Sequence, residues 1–88
     1  MFLVELSNNA KKGFDSCPSD YKAKIKETLA ALKESSCPFR LYDVKKIQGR
    51  DNVYRIRIGK YRIQYEVFKD QELVLVFSIG LRDETSYK

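Results

Sequence analysis

The chain of 88 residues contains no histidine and only two cysteines, two prolines and four glycines. Without histidine, no imidazole can serve as the general acid or base that proton-transfer catalysis most often uses. Two cysteines without histidine and without CxxC spacing argue against a zinc site, and we expect neither a metal nor another cofactor. Because no run of 18 apolar residues is present, the sequence predicts no transmembrane helix.

The two cysteines, Cys17 and Cys37, lie on either side of a predicted helix. At about 1.5 Å per residue over about 16 residues, their separation exceeds 20 Å, whereas a disulfide requires Cα atoms within about 7 Å. We therefore predict two free thiols, as in a reducing cytoplasm. The first residues lack a basic segment followed by an apolar stretch, so we expect no signal peptide and a cytoplasmic location.

The positive charge of the chain is unevenly distributed. Seventeen Lys and Arg against twelve Asp and Glu give a net charge of +5. In residues 40–62, two acidic side chains accompany eight basic ones: Arg40, Lys45, Lys46, Arg50, Arg55, Arg57, Lys60 and Arg62. This asymmetry indicates a polyanionic partner: nucleic acid first, a membrane surface second, an acidic protein third. A membrane is disfavoured, because a polybasic anchor usually also needs an amphipathic helix or a lipid, and we find neither.

Residues 53–68 carry the clearest structural signal. Apolar and polar residues alternate from 53 to 58 and from 61 to 67, which is the period of a half-buried β-strand. Gly59 and Lys60 separate the two runs, and a two-residue loop with glycine first is typical of a type II′ hairpin turn. The turn predicts these opposed pairs: Ile58 with Tyr61, Arg57 with Arg62, Ile56 with Ile63, Arg55 with Gln64, and Tyr54 with Tyr65.

Three arginines share one face of this predicted hairpin. The other face is apolar and consists of Tyr54, Ile56, Ile58, Tyr61, Ile63 and Tyr65. Opposed like charges destabilise a sheet, and Glu66 is the only acid in the two strands. We interpret Arg55, Arg57 and Arg62 as an anion site suited to phosphates; the alternative is a solvated basic face.

Outside the hairpin, the pattern predicts a strand and two helices before it, a short strand directly preceding it, and a last strand after it. The predicted bounds are Phe2–Leu6, about Asn9–Asp15, Ser19 to about Glu34, Val44–Ile47 and Glu72–Gly80, with a connector at 35–43 and a turn at 49–52. Ser7 or Asn8 is expected to cap the first helix and Ser19 the second. The predicted buried stripe of the second helix is Tyr21, Ile25, Leu29 and Leu32.

The pairing of the last strand depends on the loop before it. With a three-residue loop Lys69 lies opposite Leu73, and the core gains Leu75, Phe77 and Ile79, while Val76 and Ser78 lie beneath the arginines; a two-residue loop reverses the faces. The order β-α-α-β-β-β-β predicts a single α+β domain over residues 1–88. Its sheet is twisted and mostly antiparallel, with an N-terminal helical hairpin packed on one face.

This element order and two sequence blocks resemble the RelE/ParE toxin superfamily, and most nearly its RelE-type mRNA interferases. The blocks are YRIRIGKYRIQY at residues 54–65 and Ile79-Gly80-Leu81-Arg82 followed by Tyr87. The similarity covers essentially the whole chain. It implies a RelE-like fold and the toxin of a type II toxin–antitoxin pair. Such toxins enter the ribosomal A site and cleave mRNA without a metal, by attack of the ribose 2′-OH on the adjacent phosphate.

The resemblance also implies the catalytic residues, which are Arg55, Arg57, Arg62, Arg82 and Tyr87. Arg62 is expected to stabilise charge on the phosphorane, and Arg55 to position the RNA backbone. Arg82 is placed to stabilise charge or act as a general acid, and Tyr87 to stack on a splayed base. The expected contacts to RNA or the ribosome are Lys45, Lys46, Arg50 and Lys60.

Two departures from the family pattern bear on activity. Arg57 stands where relatives often have Lys, and arginine keeps its proton, so it is a poor general base. Leu81 stands where many relatives have His. A slow or ribosome-dependent enzyme is therefore expected. The alternatives are a ParE-like toxin that inhibits DNA gyrase and an inactive relative that only binds an antitoxin.

The resemblance implies three partners: a cognate antitoxin, the ribosome and mRNA. The antitoxin is expected to be a small, acidic, partly disordered chain that folds on binding. It would bind as an amphipathic helix across the toxin or as a strand added to the sheet edge.

Overall fold

A computed structural model describes residues 1–36, residue 38 and residues 40–81. Its elements are β1 (Leu3–Leu6), α1 (Asn8–Asp15), α2 (Ser19–Glu34), β2 (Asp43–Lys46), β3 (Val53–Ile58), β4 (Tyr61–Phe68), a 3₁₀ turn (Lys69–Gln71) and β5 (Leu73–Leu81). Within these residues five strands form one sheet in the order β1-β5-β4-β3-β2. The β1–β5 pair is parallel and the other pairs are antiparallel. The predicted α+β class and element order are confirmed.

Both helices form near their predicted bounds, but only α1 has the predicted cap. The hydroxyl oxygen of Ser7 accepts a hydrogen bond from the Ala10 N–H at 3.1 Å. In α2 the N-cap position is occupied by Pro18, and the Lys22 N–H donates to its carbonyl at 2.9 Å. Ser19 is therefore the first helical residue and not the cap, because the Pro18 carbonyl already accepts the first helical hydrogen bond.

The hydrophobic core lies between the helices and one side of the sheet, here called the helix-facing side. Ile25, Thr28 and Leu32 of α2 are fully buried, and the Thr28 hydroxyl donates to the Lys24 carbonyl at 2.9 Å. Tyr21 and Leu29, also predicted for this stripe, are partly buried against the core. The sheet contributes Ile56, Ile58, Tyr61, Ile63, Tyr65, Val67, Val74, Val76 and Ile79.

Gly13 allows α1 to approach β5 closely. A Cβ built at this position would lie 1.7 Å from the carbonyl oxygen of Ile79, so no other residue fits without a shift of backbone. Glycine inside a helix costs about 1 kcal/mol relative to alanine. At Gly13 this cost is the consequence of packing the backbone of α1 directly against the backbone of β5.

The β3–β4 hairpin has the predicted register. Arg57 lies opposite Arg62, Arg55 opposite Gln64, and the remaining predicted pairs also form. Gly59 has a positive φ of 57°, which a type II′ turn requires at its first central position. Apolar side chains of both strands consequently point to the helix-facing side, and the arginines point to the opposite side, here called the arginine side.

Strand β5 changes register halfway along its pairing with β4. Near the arginines the predicted pairs form, namely Ile63 with Ile79 and Gln64 with Ser78. A β-bulge between Gln64 and Tyr65 then shifts the register, so that Tyr65 pairs with Val76. Phe77 is the extra residue, because a bulge places two residues of one strand opposite one of the other.

The bulge decides which residues of β5 enter the core. Val76, expected beneath the arginines, is fully buried on the helix-facing side, as is Val74. Leu75 and Phe77, expected in the core, are only partly buried and lie outside it. The loop before β5 has four residues, 69–72, with Glu72 in the left-handed conformation at φ 49°. The prediction from a three-residue loop is therefore wrong for this half of β5.

Helix α1 stabilises the bulge. The Ser7 hydroxyl donates to the Phe77 carbonyl at 3.2 Å, and the side-chain amide of Asn9 donates to the same oxygen at 3.1 Å. A bulge leaves backbone groups without ladder partners, and such groups are costly when they lack a hydrogen bond. Two side chains about 70 residues away along the chain thus fix a register that local sequence does not specify.

Strand β2 forms one residue earlier than predicted. It runs from Asp43 to Lys46, not from Val44 to Ile47, and pairs with β3. Its first residue therefore lies beside the arginines.

In the described residues, neither α1 nor α2 has the length and apolar character that crossing a membrane requires.

Candidate phosphate-binding site

Three neighbouring arginines lie on the arginine side of the β3–β4 hairpin. Arg55 and Arg57 alternate along β3, and Arg62 of β4 lies directly opposite Arg57. Arg55 is 6% exposed, whereas the side chain of Arg57 is 35% exposed. Arg62 is half-buried. These three residues are called the arginine cluster below, and the predicted juxtaposition is confirmed.

Asp43 partly neutralises the arginine cluster. It lies opposite Arg57 on β2, and its Oδ2 is 3.6 Å from Arg57 Nε and 3.9 Å from an Arg55 guanidinium nitrogen. The Asp43 side chain is 48% exposed, so each ion pair contributes less than about 1 kcal/mol. Asp43 therefore offsets part of the charge of Arg55 and Arg57.

Asp43 was not expected at this site, because the sequence pattern predicts a connector over residues 35–43. A signal was nonetheless present. Continuing the antiparallel pairing of β2 by one residue places Asp43 opposite Arg57, on the same side of the sheet. The charge balance of the site thus depends on a third strand.

The four lysines and arginines expected to contact RNA or ribosome are not all together. Lys45 is exposed opposite Arg55 and extends the basic surface. Lys46 lies opposite Tyr54, which places it on the helix-facing side of β2. Lys45, Lys46 and Arg55 contribute to the lining of a groove of about 290 Å³ at the end of β2.

Arg50 and Lys60 flank β3 at its two ends. Arg50 is exposed in the turn before β3, and Lys60 is exposed in the turn after it. Because β3 has six residues, its ends are separated by roughly 16–20 Å. These two side chains therefore mark the limits of a basic strip and are not part of the arginine cluster. Arg82 and Tyr87, also predicted for the site, lie outside the described residues.

Gln64 lies inside the cluster. It pairs with Arg55 on β3 and with Ser78 on β5, and it is 2% exposed. In the described part of the chain, its side-chain Nε2 is buried without a hydrogen-bond partner. The Arg55–Gln64 pair follows from the predicted register, but a lone glutamine in a strand carries no motif that would indicate a role.

The strand next to the cluster carries small residues. Gly80 lies opposite Arg62, and Ser78 lies opposite Gln64. Both also line a groove of about 410 Å³ between α1 and the end of β5, together with Lys12. None of the three arginines lines this groove.

The chemistry available in the cluster is anion binding. Guanidinium groups donate hydrogen bonds in a fork that matches phosphate oxygens, and they keep their protons at neutral pH.

Cys17, the described thiol, lies on the helix-facing side of the molecule. Burial raises the pKa of the Cys17 thiol, and the charge of Lys22 offsets part of this effect. The Cys17 S–H donates to the Gly13 carbonyl at 3.2 Å, so this thiol is a packed group and not part of the cluster.

The sequence is similar to known toxins. Over residues 4–85 it matches the family described as the ParE toxin of type II toxin–antitoxin system, parDE. A curated protein named RelE1 from Methanocaldococcus jannaschii is 37% identical over 87 residues, which cover 99% of this chain and 96% of that protein.

Solved structures share the fold. The RelE–RelB complex from the archaeon Pyrococcus horikoshii OT3 matches with a TM-score of 0.84 and 23% identity, over 96% of this chain and 98% of that chain. The RelB–RelE antitoxin–toxin complex from Methanococcus jannaschii matches with a TM-score of 0.78 and 26% identity, over 89% and 90% of the two chains. The intact RelBE complex of E. coli matches with a TM-score of 0.79 and 23% identity, over 92% and 96%.

Proposed function

Because this chain belongs to the RelE/ParE superfamily of type II toxins, we propose that it is a ribosome-dependent endoribonuclease that cleaves mRNA. The proposed reaction is attack of a ribose 2′-OH on the adjacent phosphate, with departure of the 5′-oxygen and no bound metal. The expected cellular location is the cytoplasm, where ribosomes and mRNA are present.

The arginine cluster is the observation that carries this proposal. Opposed Arg57 and Arg62 repel each other across the hairpin, and a phosphodiester would relieve that repulsion. Asp43 offsets part of the charge of two of these arginines, at 3.6 Å from Arg57 and 3.9 Å from Arg55. Charge on the phosphorane is the feature of the transition state that such donors stabilise best.

Each arginine has a distinct proposed role. Half-buried Arg62, on β4, stabilises the phosphorane through two parallel hydrogen bonds. Buried Arg55 holds the RNA backbone. Arg57 orients the 2′-OH or stabilises charge, since arginine does not accept a proton at neutral pH. The proton of the 2′-OH then passes to the ribosome or to water. Arg82 and Tyr87 keep the roles that the family resemblance implies for them.

The test is cleavage of mRNA on translating ribosomes by the wild-type chain and by Arg62→Ala. We expect the variant to cleave about 100- to 1000-fold more slowly in single turnover, the loss seen when one transition-state donor is removed. Arg40→Ala, which removes an exposed arginine outside the cluster, is the matched control and should cleave normally. Absence of cleavage by the wild type, or equal cleavage by Arg62→Ala, would refute the proposal.

A second candidate function is inhibition of DNA gyrase. It is favoured by the match of residues 4–85 to the ParE toxin family. Gyrase inhibition does not require an arginine cluster on the sheet. A supercoiling assay separates the two: inhibition of supercoiling with intact ribosome-bound mRNA supports the gyrase function. Lack of growth arrest on expression, together with retained antitoxin binding, supports the inactive relative.

We propose an antitoxin as the protein partner, since similar folds were solved as RelE–RelB complexes. An acidic, partly disordered chain would suit the net charge of +5. Among the strands that the structure describes, β1 and β2 form the two edges of the sheet, and we propose that the antitoxin adds a strand to one of them. Growth arrest that is relieved by co-expression of the product of the neighbouring reading frame is the expected result.

A further inference from the structure

A buried amide without a partner is unusual in a folded protein. Gln64 is 2% exposed, and within the described residues no group accepts a hydrogen bond from its Nε2. Most buried polar side chains are hydrogen-bonded, because an unsatisfied donor loses its contacts with water and gains nothing in return. Such a group therefore needs a reason other than the stability of the fold.

The position of Gln64 supplies that reason. It pairs with Arg55 across β3–β4 and precedes the β-bulge. It points to the arginine side, as does Arg62 two residues earlier on the same strand. The amide thus completes, with the three arginines, a two-by-two array of side chains on this side of the sheet.

The surroundings of the amide can open. On β5 its neighbours are Ser78 and Gly80, which are too small to cover it. The long side chains next to it on this side of the sheet are those of Arg55, on β3, and of Arg62 and Glu66, on β4. Arginine side chains have several rotatable bonds, and both would turn towards a bound phosphate. That movement uncovers the Gln64 N–H beside the phosphate oxygens.

We propose that Gln64 is a fourth phosphate-binding residue, donating its Nε2–H to a non-bridging phosphate oxygen of the RNA bound by the arginine cluster. This inference rests on the proposed function for its ligand class. An uncharged donor adds a hydrogen bond to the phosphate without adding to the repulsion between Arg57 and Arg62. A neutral amide is therefore the donor type that a crowded cationic site can still accommodate.

The test combines binding with stability, because the two should change in opposite directions. Gln64→Leu removes the amide and keeps the volume of the side chain. Its affinity for a 12-nucleotide single-stranded RNA should fall about tenfold. Its urea midpoint should be equal to or higher than that of the wild type, since a buried unsatisfied donor has been removed. Gln71→Leu, at an exposed glutamine of the 3₁₀ turn, is the matched control and should bind as the wild type does.

A single-stranded DNA of the same sequence identifies the atom contacted. A phosphate contact predicts the same tenfold loss on DNA and RNA. Wild-type affinity of Gln64→Leu for both nucleic acids overturns the proposal, and a loss confined to RNA overturns it in favour of a 2′-OH contact. Neither measurement uses ribosomes or cleavage, so failure of this inference is separable from failure of the endoribonuclease proposal.

If Gln64→Leu does not fold, a second variant at the same position tests the proposal. Gln64→Glu places a carboxylate among the arginines, which should raise the urea midpoint and weaken binding of RNA and DNA by more than tenfold. Unchanged affinity of this variant would also overturn the proposal.

Discussion

The two sides of the β3–β4 hairpin are made by the same residues 53–68, yet they are organised differently. The helix-facing side consists of Ile and Tyr side chains that pack beneath the helices, and Ile56, Ile63 and Tyr65 are fully buried. The arginine side holds three guanidinium groups and a buried amide that is not hydrogen-bonded in the described residues. One side is thus built from packed apolar groups, whereas the other side is the one for which we propose an anionic ligand.

This difference predicts which substitutions change the stability of the fold and which change the proposed function. The Tyr65 hydroxyl donates to the Ser36 carbonyl at 2.8 Å and ties the connector after α2 to the sheet. On the helix-facing side, therefore, even a polar group has an internal partner. Substitutions there should change the free energy of unfolding, while substitutions on the arginine side should change affinity for anions.

The largest expected effect is a difference in the free energy of unfolding between substitutions at two adjacent residues of β4. Ile63→Ala should lower the free energy of unfolding by about 2–5 kcal/mol, because a fully buried side chain is replaced by a cavity. Arg62→Ala, one residue earlier and on the opposite side, should cost about 1 kcal/mol or less while abolishing most anion binding. Urea denaturation followed by circular dichroism measures both. Equal destabilisation by the two variants would contradict the division between the sides.

A smaller effect is expected from Asp43→Asn. Removing the carboxylate that lies 3.6 Å from Arg57 should raise the affinity for single-stranded RNA about threefold at low salt, with a smaller gain at high salt. Stability should fall by less than about 1 kcal/mol, since the pair is half-exposed. Fluorescence anisotropy at several salt concentrations measures the affinity. Asp70→Asn, in the exposed 3₁₀ turn, is the control; a weaker affinity of Asp43→Asn for RNA would count against a phosphate site.

The smallest expected effect is on the reactivity of the Cys17 thiol, which is buried in the core on the helix-facing side. Burial raises the pKa of its thiol above the ordinary value of 9.0, so alkylation of a Cys37→Ser variant at pH 8 should be at least about tenfold slower than in urea. Below pH 9.0 the thiol is protonated in both states. Above it the unfolded chain ionises first, so this contribution to stability is lost as pH rises through the folded pKa. A Cys17→Ala/Cys37→Ser control should lack this pH dependence, and rapid native alkylation would show that the thiol is accessible.

Local pattern was sufficient to predict the hairpin, because alternation and a Gly-Lys turn determine a register without help from elsewhere. The arginine cluster followed from that register. Strand β5 could be predicted only in part, since its bulge at Phe77 is held by Ser7 and Asn9, which are distant in sequence. Asp43 and Gln64 were missed as site residues for a related reason: their importance arises from neighbours on other strands.

The central position of β5 has a consequence for synthesis of the chain. Its nine residues separate β1 from β4, so within the described sheet β1 cannot pair until β5 has been synthesised. A sheet with such distant pairings folds slowly compared with one built from neighbouring segments. The newborn polypeptide is thus an incomplete sheet for most of its translation, and its unpaired edges are exposed during that interval.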